Sequence, residues 1–150
     1  MADIKSPEER SANMAAIRSK DTQPELYLRK LLFSRGYRYR KNYKKIPGHP
    51  DMFFPKYRTA IFVNGCFWHR HKGCKLASMP STRTEYWTAK FEANIKRDER
   101  TRSLLNSLGF RTLIVWECTV NKMKRNKELE TETLKTIEEF MCDDIDYLEI

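Results

Sequence analysis

Apolar positions recur along this chain in two rhythms, and the changes between them mark out its elements. Leu28, Leu31 and Leu32 form the stripe of a helix that starts after Thr22 and stops at Gly36. Its first turn reads Thr22-x-x-Glu25, a capping residue followed by a capping carboxylate. Ser6-Pro7-Glu8-Glu9 is a similar start and predicts an earlier helix over about 6–20. From Tyr37 the period becomes two. Tyr37, Tyr39, Lys41 and Tyr43 alternate with Arg38, Arg40 and Asn42, which predicts a half-exposed strand with a basic side. After the turn IPGHP, residues 52–54 and 59–63 read as two short buried strands, with Asp51 at the mouth of the first. An acidic residue entering an apolar strand needs a partner or a metal.

A helix is predicted over about 84–108, ended by Gly109. At about 100° per residue, Trp87, Phe91, Asn94, Asp98 and Leu105 share roughly 60° of arc, so Asn94 and Asp98 interrupt an apolar face. Residues 110–116 read as a buried strand leading to Glu117 and Cys118, and Leu134, Ile137 and Met141 define a last helix. Strands interleaved with helices predict an α/β fold, a mixed central sheet flanked by helices. The length of 150 residues suits one domain over 1–150, with an N-terminal helix and an acidic C-terminal helix and tail over about 128–150.

Charge sharpens the functional expectation. The formal net charge is +9, but residues 128–150 carry nine acids and one base, leaving residues 1–127 with 28 bases against 11 acids, a net of +17. A basic excess of this size, interleaved with aromatic residues, points to nucleic acid. No apolar run approaches the roughly 20 residues of a membrane helix, and the N-terminus lacks the apolar centre of a signal peptide, so a cytoplasmic protein is expected.

Chemistry concentrates in VNGCFWHRHKGC, residues 63–74. Cys66, His71 and Cys74 have the spacing to wrap one ion, and Cys118 can supply a fourth ligand, a set that suits a closed tetrahedral zinc site. The plainer alternative is a group of ordinary buried cysteines; Cys142, on the final helix, is expected in the core. His69 lies within the same loop without a ligand role. An imidazole titrates near neutrality, so His69 with Asp51 and Asp98 would have the parts for metal-assisted phosphodiester hydrolysis.

The segments RSANMAAIRSKDTQPE, PGHPD, FVNGCFWHRHKGC, TRTEYW, NIKRDE and LIVWEC, in this order, resemble the very-short-patch repair (Vsr) endonucleases, a family of mismatch-specific nicking enzymes. The resemblance covers most of the chain. It implies a restriction-endonuclease-like fold with structural zinc on Cys66, His71, Cys74 and Cys118, and catalytic magnesium on Asp51 and the main chain of Val63. Glu25 would assist that metal site, His69 would be the general base and Asp98 its neighbour. Phe67, Trp68 and Trp87 would enter the DNA from the major groove, and Met14 and Ile17 from the minor groove. Asn64 stands where the best-known members have a second active-site histidine; its amide can donate a hydrogen bond but not a proton at a useful pKa. The His71–Cys74 spacing is one residue longer than in some relatives.

The implied substrate is double-stranded DNA with a T:G mismatch left by 5-methylcytosine deamination, nicked 5′ of the thymine. Mismatch-repair proteins and a DNA polymerase are the implied partners, the setting is the bacterial nucleoid, and a monomer suffices because one nick needs one active site. Two other readings fit the residues: a homing-type endonuclease of the same fold that cuts both strands, and a zinc-stabilised DNA-binding module without catalysis.

Overall fold

The structure is a computed structural model that describes residues 20–150. The helix expected over 6–20, with Met14 and Ile17, lies outside the described residues apart from Lys20. Helix α1 (Gln23–Ser34) is followed by strands β1 (Arg40–Lys41), β2 (Met52–Phe54) and β3 (Thr59–Asn64). Helix α2 (Thr84–Ser107) leads to β4 (Arg111–Trp116), α3 (Glu117–Arg125), α4 (Lys127–Cys142) and β5 (Tyr147–Glu149).

The five strands form one mixed sheet in the order β1-β2-β3-β4-β5. The first two pairings are antiparallel and the last two parallel. Alternation within the strands sorts their side chains onto two faces. Met52, Phe54, Ile61, Val63, Leu113 and Val115 face Leu28 and Leu32 of α1, Val120 and Met123 of α3, and the apolar stripe of α4. On the other face Phe53 and Ala60 meet Leu105 near the end of α2. Burial of both faces explains why β3 and β4 are almost continuously apolar.

Four expectations change. The alternating segment 37–43 is a strand only at Arg40–Lys41. Its tyrosines do not share a face: Tyr37 and Tyr39 pack on Phe54, whereas Tyr43 stacks on Phe53. Asn42, with φ at 46° in the left-handed region, turns the chain over between them. Cys142 is exposed rather than in the core, because α4 ends there and Met141 takes the inward position. Cys118 sits in the first turn of α3, not at a strand end. The acidic tail returns to the sheet as β5, whose ladder with β4 is extended by Ile150. Among the described residues, no helix is long and apolar enough to cross a membrane.

Candidate active site and metal centre

The loop after β3 is held between a cysteine cluster on one side and α2 on the other. Cys66, His71, Cys74 and Cys118 bring their ligand atoms within 4.8 Å of one another, a group that can hold a metal ion. The His71 Nδ1 lies 3.6 Å from Cys66 Sγ and 3.4 Å from Cys118 Sγ. Its ring stacks flat on Trp116 at 4.2 Å, and the Trp116 indole donates to Glu149 at 2.9 Å. Burial pushes the Cys66 thiol up to about 12, whereas the Leu76 main-chain N–H holds Cys74 below its ordinary value.

On the other side, one stripe of α2 meets the loop in chain order. Phe67 packs edge-on against Trp87 and Phe91 at 5.5 and 5.1 Å. Asn94 donates to the Trp68 carbonyl at 3.0 Å, and Asp98 pairs with His69 Nδ1 at 2.6 Å. The polar residues that interrupted the helical stripe are therefore its contacts with the loop. Arg70 completes the docking. Its guanidinium lies 3.9 Å over Phe91 and donates to the carbonyls of Phe67, Ala77 and Ser78.

Glu25, Asp51, Val63, Asn64, His69 and Asp98 line one cleft of about 920 Å³. Lys20, Lys44, Lys72, Arg97 and Arg102 also line it, which gives it a basic wall. Asp51 Oδ2 accepts the Val63 N–H at 2.7 Å, so its carboxylate is fixed across β2 and β3. Burial, then the nearby Glu25 carboxylate, push the Asp51 carboxyl up to about 7. Burial also raises Glu25, against the pull of the Asp21 N–H and Arg29. Glu25 does serve as a cap, accepting the Asp21 N–H at 2.7 Å, while the Thr22 side chain makes no capping bond.

The arrangement combines two neighbouring carboxylates on a polar cleft with an imidazole held through Nδ1, whose Nε2 has no hydrogen-bond partner among the described residues. The three aromatic residues Phe67, Trp68 and Trp87 cluster, Trp68 and Trp87 at 6.0 Å between centroids, and all are half-buried. The sequence reading missed Arg29, which touches both Glu25 and the Asp51 main chain. Its signal was the spacing of four from Glu25 on one helix.

Residues 2–76 match the family described as DNA mismatch endonuclease Vsr. The type II nicking enzyme V.XorIIP of Xanthomonas oryzae pv. oryzae is 46% identical over 123 residues, 82% of this chain and 90% of that protein. The DNA mismatch endonuclease Vsr of Escherichia coli K12 is 42% identical over 142 residues, 95% of this chain and 89% of its own. The type II nicking enzyme V.NmeAIP of Neisseria meningitidis is 39% identical over 137 residues, 91% and 94% of the two chains. An alignment that spans 95% of the chain takes in both the loop and the helix that answers it, and on this similarity the chain belongs to the Vsr family.

Proposed function

We propose that the protein is a magnesium-dependent, strand-specific DNA endonuclease that nicks 5′ of the thymine in T:G mismatches. The observation that carries this reading is the shared cleft, in which Asp51 and the His69–Asp98 pair face the same space between basic side chains. In this role His69 Nε2 takes the proton from the attacking water while Asp98 fixes the ring and stabilises the imidazolium. Asp51 and the Val63 carbonyl hold magnesium, with Glu25 supporting the site. The half-buried Asp51 carboxylate and the buried Glu25 carboxylate, both raised by burial and Asp51 further by Glu25, are an oxygen donor set fit for a hard cation. Bound there, magnesium supplies charge that offsets the negative charge developing on the phosphate. Asn64 contributes a neutral hydrogen-bond donor to the phosphate. The basic wall of the cleft supports DNA binding through phosphates.

The second metal is zinc in this reading. A tetrahedral site with Zn–S near 2.3 Å and Zn–N near 2.0–2.1 Å has S···N edges of about 3.6 Å, and the two Cys–His71 separations are 3.6 and 3.4 Å. Three sulfurs and one nitrogen leave no open ligand position, so zinc braces the loop and takes no part in the reaction. The mixed sheet between helices is read as restriction-endonuclease-like.

Phe67, Trp68 and Trp87 form the wedge, recovering the cost of opening a base step by stacking, at about 1–3 kcal/mol per base. A T:G pair is easier to open than T:A, which is how a wedge discriminates. The test is cleavage of matched T:A and mismatched T:G duplexes in a panel of flanking sequences with magnesium. One nick 5′ of the thymine is expected, much faster on T:G than on T:A, and Trp68→Ala should lower the T:G over T:A rate ratio at fixed salt. Cutting both strands of a matched duplex, or no turnover with magnesium, overturns the proposal.

A further inference from the structure

We infer that Arg29 is the positioning residue of the catalytic carboxylates, an inference that rests on the proposed roles of Asp51 and Glu25. Arg29 is 5% exposed and lies on α1, one turn after Glu25. Its Nη1 donates to Asp21 Oδ1 at 2.6 Å. Its Nη2 lies 3.2 Å from Glu25 Oε2, 3.0 Å from Asn42 Oδ1 and 3.2 Å from the Asp51 carbonyl. One guanidinium thus joins the turn before α1, α1 itself, the turn after β1 and the residue that precedes β2. Asn42 closes the ring from outside, donating its Nδ2 to Asp21 Oδ1 at 3.0 Å and its main-chain N–H to the Asp51 carbonyl at 3.1 Å.

The consequence for Asp51 is a residue held at both ends. Val63 fixes its carboxylate and Arg29 and Asn42 fix its carbonyl, so the carboxylate has little freedom relative to Glu25. The geometry belongs to arginine: a planar fork reaches several acceptors in fixed directions, whereas an ammonium is a point charge with three rotatable donors. Among the described residues the buried Nε has no partner, so there the polar contacts that hold the side chain are those of its two terminal nitrogens. Arg29 does not line the cleft, so it acts through Asp51 and Glu25 and not on DNA.

The test compares Arg29→Lys with wild type and Asp51→Asn by single-turnover nicking at saturating T:G duplex, duplex binding in EDTA, and calorimetric titration of the DNA-free protein with Mn²⁺. Arg29→Lys should bind duplex within about twofold of wild type, nick at least tenfold more slowly and bind Mn²⁺ at least fivefold more weakly. A loss of fold alone would reduce the active fraction in all three measurements and would not move the Mn²⁺ constant selectively. Asp21→Asn is a second variant, because Asn tolerates the left-handed backbone at 21 (φ 54°) while weakening the bond to Nη1. It should shift rate and Mn²⁺ affinity in the same direction by a smaller factor, and it decides the matter if Arg29→Lys does not fold. Wild-type rate and Mn²⁺ affinity in the deciding variant overturn the inference. Full activity in Asp51→Asn overturns instead the roles on which the inference rests.

Discussion

Replacing Asp51 with asparagine should make the protein more stable while removing its activity, and the gain should grow with pH. Burial and Glu25 lift the Asp51 carboxyl from 3.8 to about 7. At about 1.4 kcal/mol per tenfold change, its ionised form is then disfavoured by about 4 kcal/mol in the folded protein relative to the unfolded chain. The folded state holds this proton more tightly than the unfolded state. Its stability contribution is therefore intact below about pH 4 and lost progressively as pH rises to about 7. The asparagine side chain keeps the shape and an oxygen for the Val63 N–H but carries no charge. The variant's advantage should be about 1.5 kcal/mol at pH 5 and about 4 kcal/mol at pH 8. Urea unfolding of both proteins in EDTA at pH 5, 6, 7 and 8 measures it. Magnesium should then raise the stability of wild type at pH 8 and leave the variant unchanged. An advantage that does not grow with pH, or a variant less stable than wild type at pH 8, would refute the electrostatic account of this site.

His69→Ala should lower the nicking rate by about 10²–10⁴-fold, the usual contribution of a general base, with duplex affinity within tenfold in a binding assay without magnesium. Asp98→Asn keeps the hydrogen bond geometry but not the charge beside Nδ1, so its single-turnover rate should fall between wild type and His69→Ala. Cys118→Ala should reduce bound zinc, read by elemental analysis, and lower the melting temperature; less than half an equivalent of zinc in well-folded wild-type protein would contradict a structural metal.

Dense local information was legible in the sequence, and dispersed information was not. Cys66, His71 and Cys74 lie within nine residues, so the cluster could be read from spacing, and Cys118 joins it as expected, although from a helix. Asp98 was legible because helical geometry converts sequence spacing into a face, and its partner proved to be the histidine already singled out. Helix α3 was hidden because only Val120 and Met123 of its nine residues are buried, too few for a period. Strand β5 is three residues long, follows Asp143, Asp144 and Asp146, and owes its conformation to the ladder with β4. Arg29 meets partners at 21, 25, 42 and 51. Only the contact within its own helix had a local pattern.

The double bracing of the loop decides what should fail first when a metal at the cysteine cluster is lost. The Cys66–His71 side is tied to α3 through Cys118, and a segment between β3 and α2 without regular structure costs about 1–2 kcal/mol per ordered residue to hold. Removing that tie therefore weakens the packing of loop, β4 and α3 together. His69 is held from the opposite side, by Asp98 directly and by Asn94 through the neighbouring Trp68 carbonyl, and neither contact passes through the cluster. Loss of that metal at moderate temperature should thus reduce the folded fraction before it reduces the rate of the molecules that remain folded. Loss of Asp98 should do the reverse, slowing the reaction with little change in melting temperature, because its side chain is 37% exposed. The two halves of the brace are distinguishable by measuring rate per folded molecule alongside melting temperature in the Cys118 and Asp98 variants.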